Sequence, residues 1–484
     1  MTSKYEPFEV LLTTTNIYSN PYLNVNLSAI FNGPNDTTIN INGFWDGGNT
    51  YKLRISPTKA GTWNYTTISN DSQLNGKNGS FNVTDSEKKG FIKINPNYPH
   101  SFIYDDGTPF LWLGDTNWDT FHKSTPFDGT FQNWIDTRLS QGFTIIQSTL
   151  TPTLRSGAPR YLGENEGGFV FNSVVNETLN PDYFKCMDKR VQYINDKNLI
   201  LAFWFIWADD WKNGLSGEKY KRYAKYLVSR YGAYNVIFGV SGEYHQINDV
   251  AGVRAAGQYI QSVNSQKHLV TTHPDSGLVT ATDFGNDTWI DFHGQQRKYI
   301  TTFNSEIIRD RVYNKPVVNM EQMYEAQTGV PDPYEYRKAG WSILTGGGFF
   351  TYGHDRIAWN KPTNWNTDLN SQGSKEISYI KKFWDNIKWW EMTPTNSLVT
   401  NGFCLSKNEE YVIYLRDGGS TIINLSAANG TLFVKWYNPR TGLYQGKTTI
   451  QGSAPRTFTS PDTNDWVLHI FSCPLSQCNF TITQ

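Results

Sequence analysis

At 484 residues, with 38% hydrophobic and 18% charged positions, the chain is long enough for two or three folded domains and too apolar for disorder. A net charge of -1 gives no electrostatic reason to expect nucleic acid or an anionic membrane as partner. The longest apolar run, Leu199 to Ala208, has about half the length of a membrane-spanning helix.

Residues 1–88 read as short strands cut by turn residues, among them Leu23–Phe31, Thr38–Phe44 and Thr62–Thr67. Their period-two alternation predicts an antiparallel β-sandwich of accessory character. From 89 to 392 strands alternate with helical patterns, the signature of a parallel α/β fold. Strands are expected at Phe110–Gly114, Phe143–Thr149, Leu199–Trp207, Val236–Val240, His268–His273, Trp289–Phe292, Pro316–Met320 and Gly348–Tyr352. A helix is expected over Glu218–Tyr231, with Tyr220, Tyr223, Ala224 and Leu227 on one face. Eight such units predict a (β/α)8 TIM barrel. From 393 to 484 strand patterns resume, with a hairpin loop at Asn438–Gly442, and predict a second antiparallel β-sandwich. The fold class is therefore α/β, a barrel flanked by a sandwich at each end.

Four cysteines are too few for a disulfide scaffold. Cys186, in a helical pattern, is expected to be a free, buried thiol. Cys473 and Cys478 are close enough to pair, and Cys404 shares their segment. The start, Met1-Thr-Ser-Lys-Tyr-Glu6, has no apolar leader, while Asn-X-Ser/Thr sequons such as Asn26, Asn64 and Asn286 favour a secreted setting.

In a parallel barrel, reactive groups stand where the strands end, because the loops there line the open mouth. Those ends carry Asp115 and Trp118, Gln147, Trp207, Glu243, His273, Gln295, Glu321 with Tyr324, and Tyr352 with His354. Two carboxylates across one mouth are the equipment for glycosidic cleavage. Glu243, after the fourth strand, is assigned as acid/base, and Glu321, after the seventh, as nucleophile. Retention follows if they stand roughly 5–5.5 Å apart. The other nine are assigned to substrate binding; His273 and His354 either bond sugar hydroxyls or buttress the two glutamates. Asp209 and Asp210 are read as solvated loop residues, and Glu325 as support for Glu321. The segment Thr151–Asn180, with Arg155 and Arg160, is expected to wall one side of the mouth. An aromatic content of 15% suits a partner with flat apolar sugar faces. A metal hydrolase would need a motif such as His-X-His after the first strand, where Asp115-Thr-Asn-Trp118 stands instead. No cofactor or metal is expected, and the partner is a carbohydrate. The alternative is a non-catalytic carbohydrate-binding protein on a barrel scaffold.

The central segment resembles the apiosidase-like (DUF4038) glycoside hydrolases, the group that includes family 140. The matching stretches are Phe110-Leu-Trp-Leu-Gly-Asp-Thr-Asn-Trp118, Gln141–Gln147, Thr271-Thr-His-Pro274, Lys315-Pro-Val-Val-Asn-Met-Glu-Gln-Met-Tyr-Glu325 and Thr351-Tyr-Gly-His354. Asn20-Pro-Tyr22, Gly43–Gly47 and Pro57–Trp63 resemble the DUF5060 sandwich, and Trp436–Gly442 a sandwich that follows such barrels. The resemblance implies a retaining-type barrel with the acid/base after strand four and the nucleophile after strand seven. Family 140 commonly reads Gly-Gly-Asp where this chain has Ser241-Gly242-Glu243, so the reaction class carries over and the sugar does not.

Overall fold

The structure, a computed structural model, describes residues 1–150, 163–297, 301–328, 334–358, 361–362 and 364–472. Arg155, Arg160, Cys473 and Cys478 lie outside the described residues, and with them the disulfide expectation.

Eight parallel strands form one sheet: β1 (Leu113–Thr116), β2 (Ile145–Thr149), β3 (Ile200–Trp207), β4 (Val236–Gly242), β5 (Val270–Thr271), β6 (His293–Gln295), β7 (Val317–Asn319) and β8 (Phe349–Gly353). Every residue of β2, β3 and β4 is buried, as expected where helices cover a parallel sheet. The ladder runs from β5 through β1 to β6, and the seam between β5 and β6 is closed by single bonds. Asp291 N donates to Val270 O at 2.9 Å, Val270 N donates to Asp291 Oδ2 at 2.7 Å, and Thr271 Oγ1 donates to Phe292 O at 3.0 Å. The result is a TIM-like barrel, as the alternating pattern predicted.

The longer helices among the described residues are α1 (Thr130–Ser140), α2 (Pro181–Asp196), α3 (Gly217–Tyr231), α4 (Val250–Val263), α5 (Phe303–Asp310), α6 (Tyr334–Thr345) and α7 (Gln372–Trp384). None among the described residues is long and apolar enough to cross a membrane. In α3, Tyr220, Tyr223, Ala224 and Leu227 are buried together, the predicted face.

Two strand positions differ from expectation. Phe110 belongs to a small antiparallel sheet (Ile92–Ile94, Phe102–Tyr104, Pro109–Phe110), and β1 begins only at Leu113. That sheet plugs the lower end: Phe102 packs on Trp112, Phe292 and Phe349 with ring centroids 5.2–5.7 Å apart. The sixth strand begins at His293, directly after the expected Trp289–Phe292, whose apolar side chains fill the core beneath it.

At the N-terminus a five-stranded sheet, antiparallel but for the parallel edge pair of Thr2–Ser3 with Val83 and Thr84, and a three-stranded antiparallel sheet enclose Phe31, Leu53 and Trp63. At the C-terminus a six-stranded sheet and a two-stranded ribbon, Ser420–Ile423 with Arg456–Thr459, enclose Ile413, Leu432 and Leu468. Both groups of sheets are tied to the barrel helices by buried ion pairs. Arg230 on α3 reaches Asp188 on α2 at 2.8 Å and Asp46 at 2.9 Å, while Arg54 reaches Asp188 at 3.0 Å. Arg337 on α6 grips Asp465 with two 2.9 Å bonds and also meets Glu376. Cys186 is free but only half-buried, and Cys404 is free and buried.

Candidate active site

Glu243 follows β4 directly, and its backbone is left-handed at φ 47°. A non-glycine residue there carries strain that the surroundings must hold. The turn throws its carboxylate beside β3, where Trp207 Nε1 donates to Glu243 Oε2 at 3.1 Å. Gln246 Nε2 donates to the same oxygen at 2.8 Å. Trp207 can reach over because the preceding residue is glycine: a Cβ on Gly242 would lie 1.9 Å from the indole ring. Glu243 is half-exposed.

Glu321 stands two residues past β7 and is 5% exposed. The chain in front of it is fixed from across the barrel, where Gln147 Nε2 on β2 donates to Met320 O at 2.8 Å and to Thr116 Oγ1 at 3.1 Å. His273, after β5, brings its Nε2 to 3.4 Å from Glu321 Oε2. Its Nδ1 is 2.8 Å from Pro274 O, a carbonyl that only accepts, so Nδ1 carries a hydrogen. Nε2 and the carboxylate therefore attract each other when one proton lies between them.

An aromatic wall joins the two carboxylates. The ring of His273 lies 5.7 Å from that of Trp207 and 5.4 Å from that of Trp204. Trp118 packs edge-on against Trp207 at 4.9 Å and His273 at 5.6 Å, and donates to Tyr324 OH at 2.8 Å. Trp118 is fully buried, as are Trp204, Trp207 and His273. Seven of the expected residues (Trp118, Gln147, Trp207, Glu243, His273, Glu321 and Tyr324) thus form one connected cluster at the strand ends.

The other four expected binding residues point elsewhere. Asp115 accepts from Arg138 Nε at 2.7 Å and Trp134 Nε1 at 2.8 Å, both on α1. Tyr352 pairs with Asp115 in register and donates to Glu325, which also accepts from Ser371 Oγ at 2.9 Å and Gly373 N at 3.0 Å. His354 sits in the field of Glu325, Asp368, Arg138 and Asp115, and burial first of all holds its pKa below the ordinary histidine value. Gln295 donates to Asp310 on α5 at 2.6 Å. Successive strand residues face opposite sides of a sheet, and Asp115, Tyr352 and Gln295 bond the helix layer rather than the mouth. Asp210 is likewise no solvated loop residue: it is fully buried and accepts from Trp207 N at 2.8 Å, capping the short helix Ala208–Lys212.

Two further residues stand beside Glu243: Asp275, which the sequence did not single out, and His245, which follows the same strand. Asp275, two positions past His273, has its pKa pushed up to about 6, by burial first and the Glu243 charge second. Asp275 N donates to His245 Nδ1 at 3.2 Å, which leaves the ring hydrogen on Nε2, 3.3 Å from Asp283 Oδ2. Burial holds His245 below its ordinary value. The nearness of Asp275 to Glu243 depends on how two loops fold together, and no local pattern announces it.

Residues 98–391 match the family described as apiosidase-like, catalytic domain. Residues 1–70 match DUF5060, a domain of unknown function, and residues 400–470 match a model provisionally described as a collagen-binding domain of a collagenase. Among solved structures, a protein from Bacteroides vulgatus ATCC 8482, provisionally described as a glycoside hydrolase, superposes with a TM-score of 0.81. It is 18% identical, over 97% of this chain and 99% of that one. A glycoside hydrolase family 5 protein from the same organism gives a TM-score of 0.66 at 21% identity, over 81% of this chain and 94% of that one. A further structure described as a glycoside hydrolase gives 0.68 at 21% identity, over 79% and 97%. No curated protein matches the chain.

Proposed function

The chain belongs to the apiosidase-like family of catalytic domains, and from that premise we propose that it is a retaining glycosidase acting on a plant or microbial oligo- or polysaccharide. The supporting observation is the unbroken run of contacts from Glu243 through Trp207 and His273 to Glu321. It sets two carboxylates in different surroundings at one barrel mouth, the half-exposed Glu243 and the buried Glu321. Opposed environments are what two carboxyl groups need to hold different protonation states.

In the first step a Glu321 oxygen attacks the anomeric carbon while Glu243 gives its proton to the departing glycosidic oxygen. The C–O bond to the leaving group breaks as the ester to Glu321 forms. Oε2 of Glu243 already accepts two hydrogen bonds, so the proton rides on Oε1. In the second step Glu243, now ionised, takes a proton from water as the water oxygen attacks the anomeric carbon and releases Glu321. The partly exposed position of Glu243 suits a group that gives a proton to the leaving group and recovers one from an incoming water in each turnover.

A panel of plant and microbial glycans incubated with the wild type and Glu321→Gln tests the reading. Turnover is expected to fall by several orders of magnitude in Glu321→Gln and by about 10²–10⁴-fold in Glu243→Gln. A 2-deoxy-2-fluoroglycoside of the cleaved sugar should leave its mass on the peptide carrying Glu321. Product of inverted anomeric configuration, or full activity in Glu321→Gln, overturns the assignment.

A further inference from the structure

A second cavity lies at the opposite end of the barrel from the two carboxylates. It has a volume of about 210 Å³ and is lined by Leu111 ahead of β1, the start of β8 at Gly348 and Phe349, the turn after α5, and the Trp389–Thr393 linker. That size is just below the usual range for small-molecule sites and matches one sugar ring rather than a chain.

Its walls are aromatic. Trp389 and Trp390 meet at 89° with centroids 5.7 Å apart, and Trp389 packs edge-on against Phe349 at 5.6 Å. Both tryptophans are half-exposed, as is Tyr98 across the cavity. A flat half-exposed ring facing a small cavity is a platform for the C–H face of a pyranose.

The cavity also contains an uncompensated cation. Arg54, Arg138, Arg190, Arg230 and Arg337 are all buried and each has a carboxylate within 3.0 Å. Among the described residues Arg311 has none; its guanidinium donates to Gly347 O, and burial pushes its pKa down to about 10. The other charges nearby cancel, since Glu391 is paired with Lys407. His100 adds no charge: burial and Arg311 both lower its pKa, and its Nδ1 donates to Lys315 O at 3.1 Å. An arginine fork in partly desolvated surroundings is completed by a planar carboxylate.

We propose that this cavity is a second ligand site, separate from the mouth, that takes a single uronic acid residue. The ring stacks on the Trp389–Trp390 corner and the carboxylate pairs with Arg311. The carboxylate half of the assignment stands on Arg311 alone, and the sugar half rests on the glycosidase reading.

Titration of the full chain carrying Glu321→Gln with glucuronate, galacturonate, glucose and acetate, followed by calorimetry and tryptophan fluorescence, tests it. Both uronates are expected to bind and quench, and glucose and acetate to bind at least about tenfold more weakly. Arg311→Gln should remove the preference for uronate over glucose, and Trp390→Ala should weaken both sugars, with thermal unfolding confirming that each variant is folded. Glycan turnover on the wild-type background should be unchanged by either substitution. Uronate binding that survives both variants, or acetate binding as tightly as uronate, overturns the proposal. A glycan screen without any hydrolysis would sink the glycosidase reading and leave the uronate titration to be judged by itself.

Discussion

His273 and Asp275 stand beside the two glutamates. With Nδ1 committed to Pro274 O, His273 holds Nε2 3.4 Å from Glu321 Oε2. On the proposed assignment of Glu321 as nucleophile, His273→Ala should lower kcat with KM little changed, and His273→Gln should recover part of the loss; no recovery would mean that the ring serves packing alone. Asp275 lies beside the other glutamate, and burial first and the Glu243 charge second push its carboxyl up to about 6. Asp275→Asn, which cannot ionise, should remove any change in kcat/KM that falls near pH 6; a profile unaltered in that interval would mean that Asp275 does not act on the site.

At the scale of elements, the weakest join in the barrel is the seam between β5 and β6, carried by Asp291 rather than by a ladder. Burial pushes the Asp291 carboxyl up to about 6 against the accepted hydrogen bonds from Val270 and Gln261, which lower it. A folded pKa raised above the unfolded value gives a contribution that is whole below the unfolded pKa, near 4 for aspartate. That contribution is lost as pH rises through about 6. The melting temperature of the wild type should therefore decline between pH 5 and 7 relative to that of Asp291→Asn, whose amide cannot ionise. Parallel melting curves across that interval would refute the seam's titration. The same element scale explains the four displaced binding residues. A strand end places a side chain near the mouth, but its parity decides whether it faces the mouth or the helices. Asp115 and Tyr352, adjacent in register, both fall on the helix side and bond there.

For the whole molecule, the barrel is held between its flanking sheets by arginines that carry buried charge across the junctions. Burial alone would raise Asp188, but Arg230 and Arg54 hold it down to about 2. A depressed carboxylate contributes stability above its unfolded pKa and loses it only as pH falls toward 2, so this junction should persist through mild acid. Removing one partner of such a set leaves an uncompensated charge. Arg230→Ala should cost about 3–5 kcal/mol in denaturant unfolding, and because Arg230 lies on α3 with partners on α2 and in the N-terminal sheets, the loss should appear at both. A change under about 1 kcal/mol would show that solvent already screens the network.

The eight buried runs, the α3 face and the two glutamates at strand ends were legible in the sequence, because alternation of strand and helix patterns is a local property and barrel chemistry gathers at strand ends. The family was legible too, through motifs such as Lys315–Glu325. What only the tertiary structure decided is which polar side chains look into the mouth, how Trp207 crosses from β3 to Glu243, and that Asp275 lies beside Glu243. It also put Phe110 in the plug below the barrel and, among the described residues, left Arg311 without a carboxylate. Those outcomes depend on strand parity, on the left-handed turn at Glu243 and on which loops fall side by side. All three follow from packing between segments far apart in the chain, which no local window of residues contains.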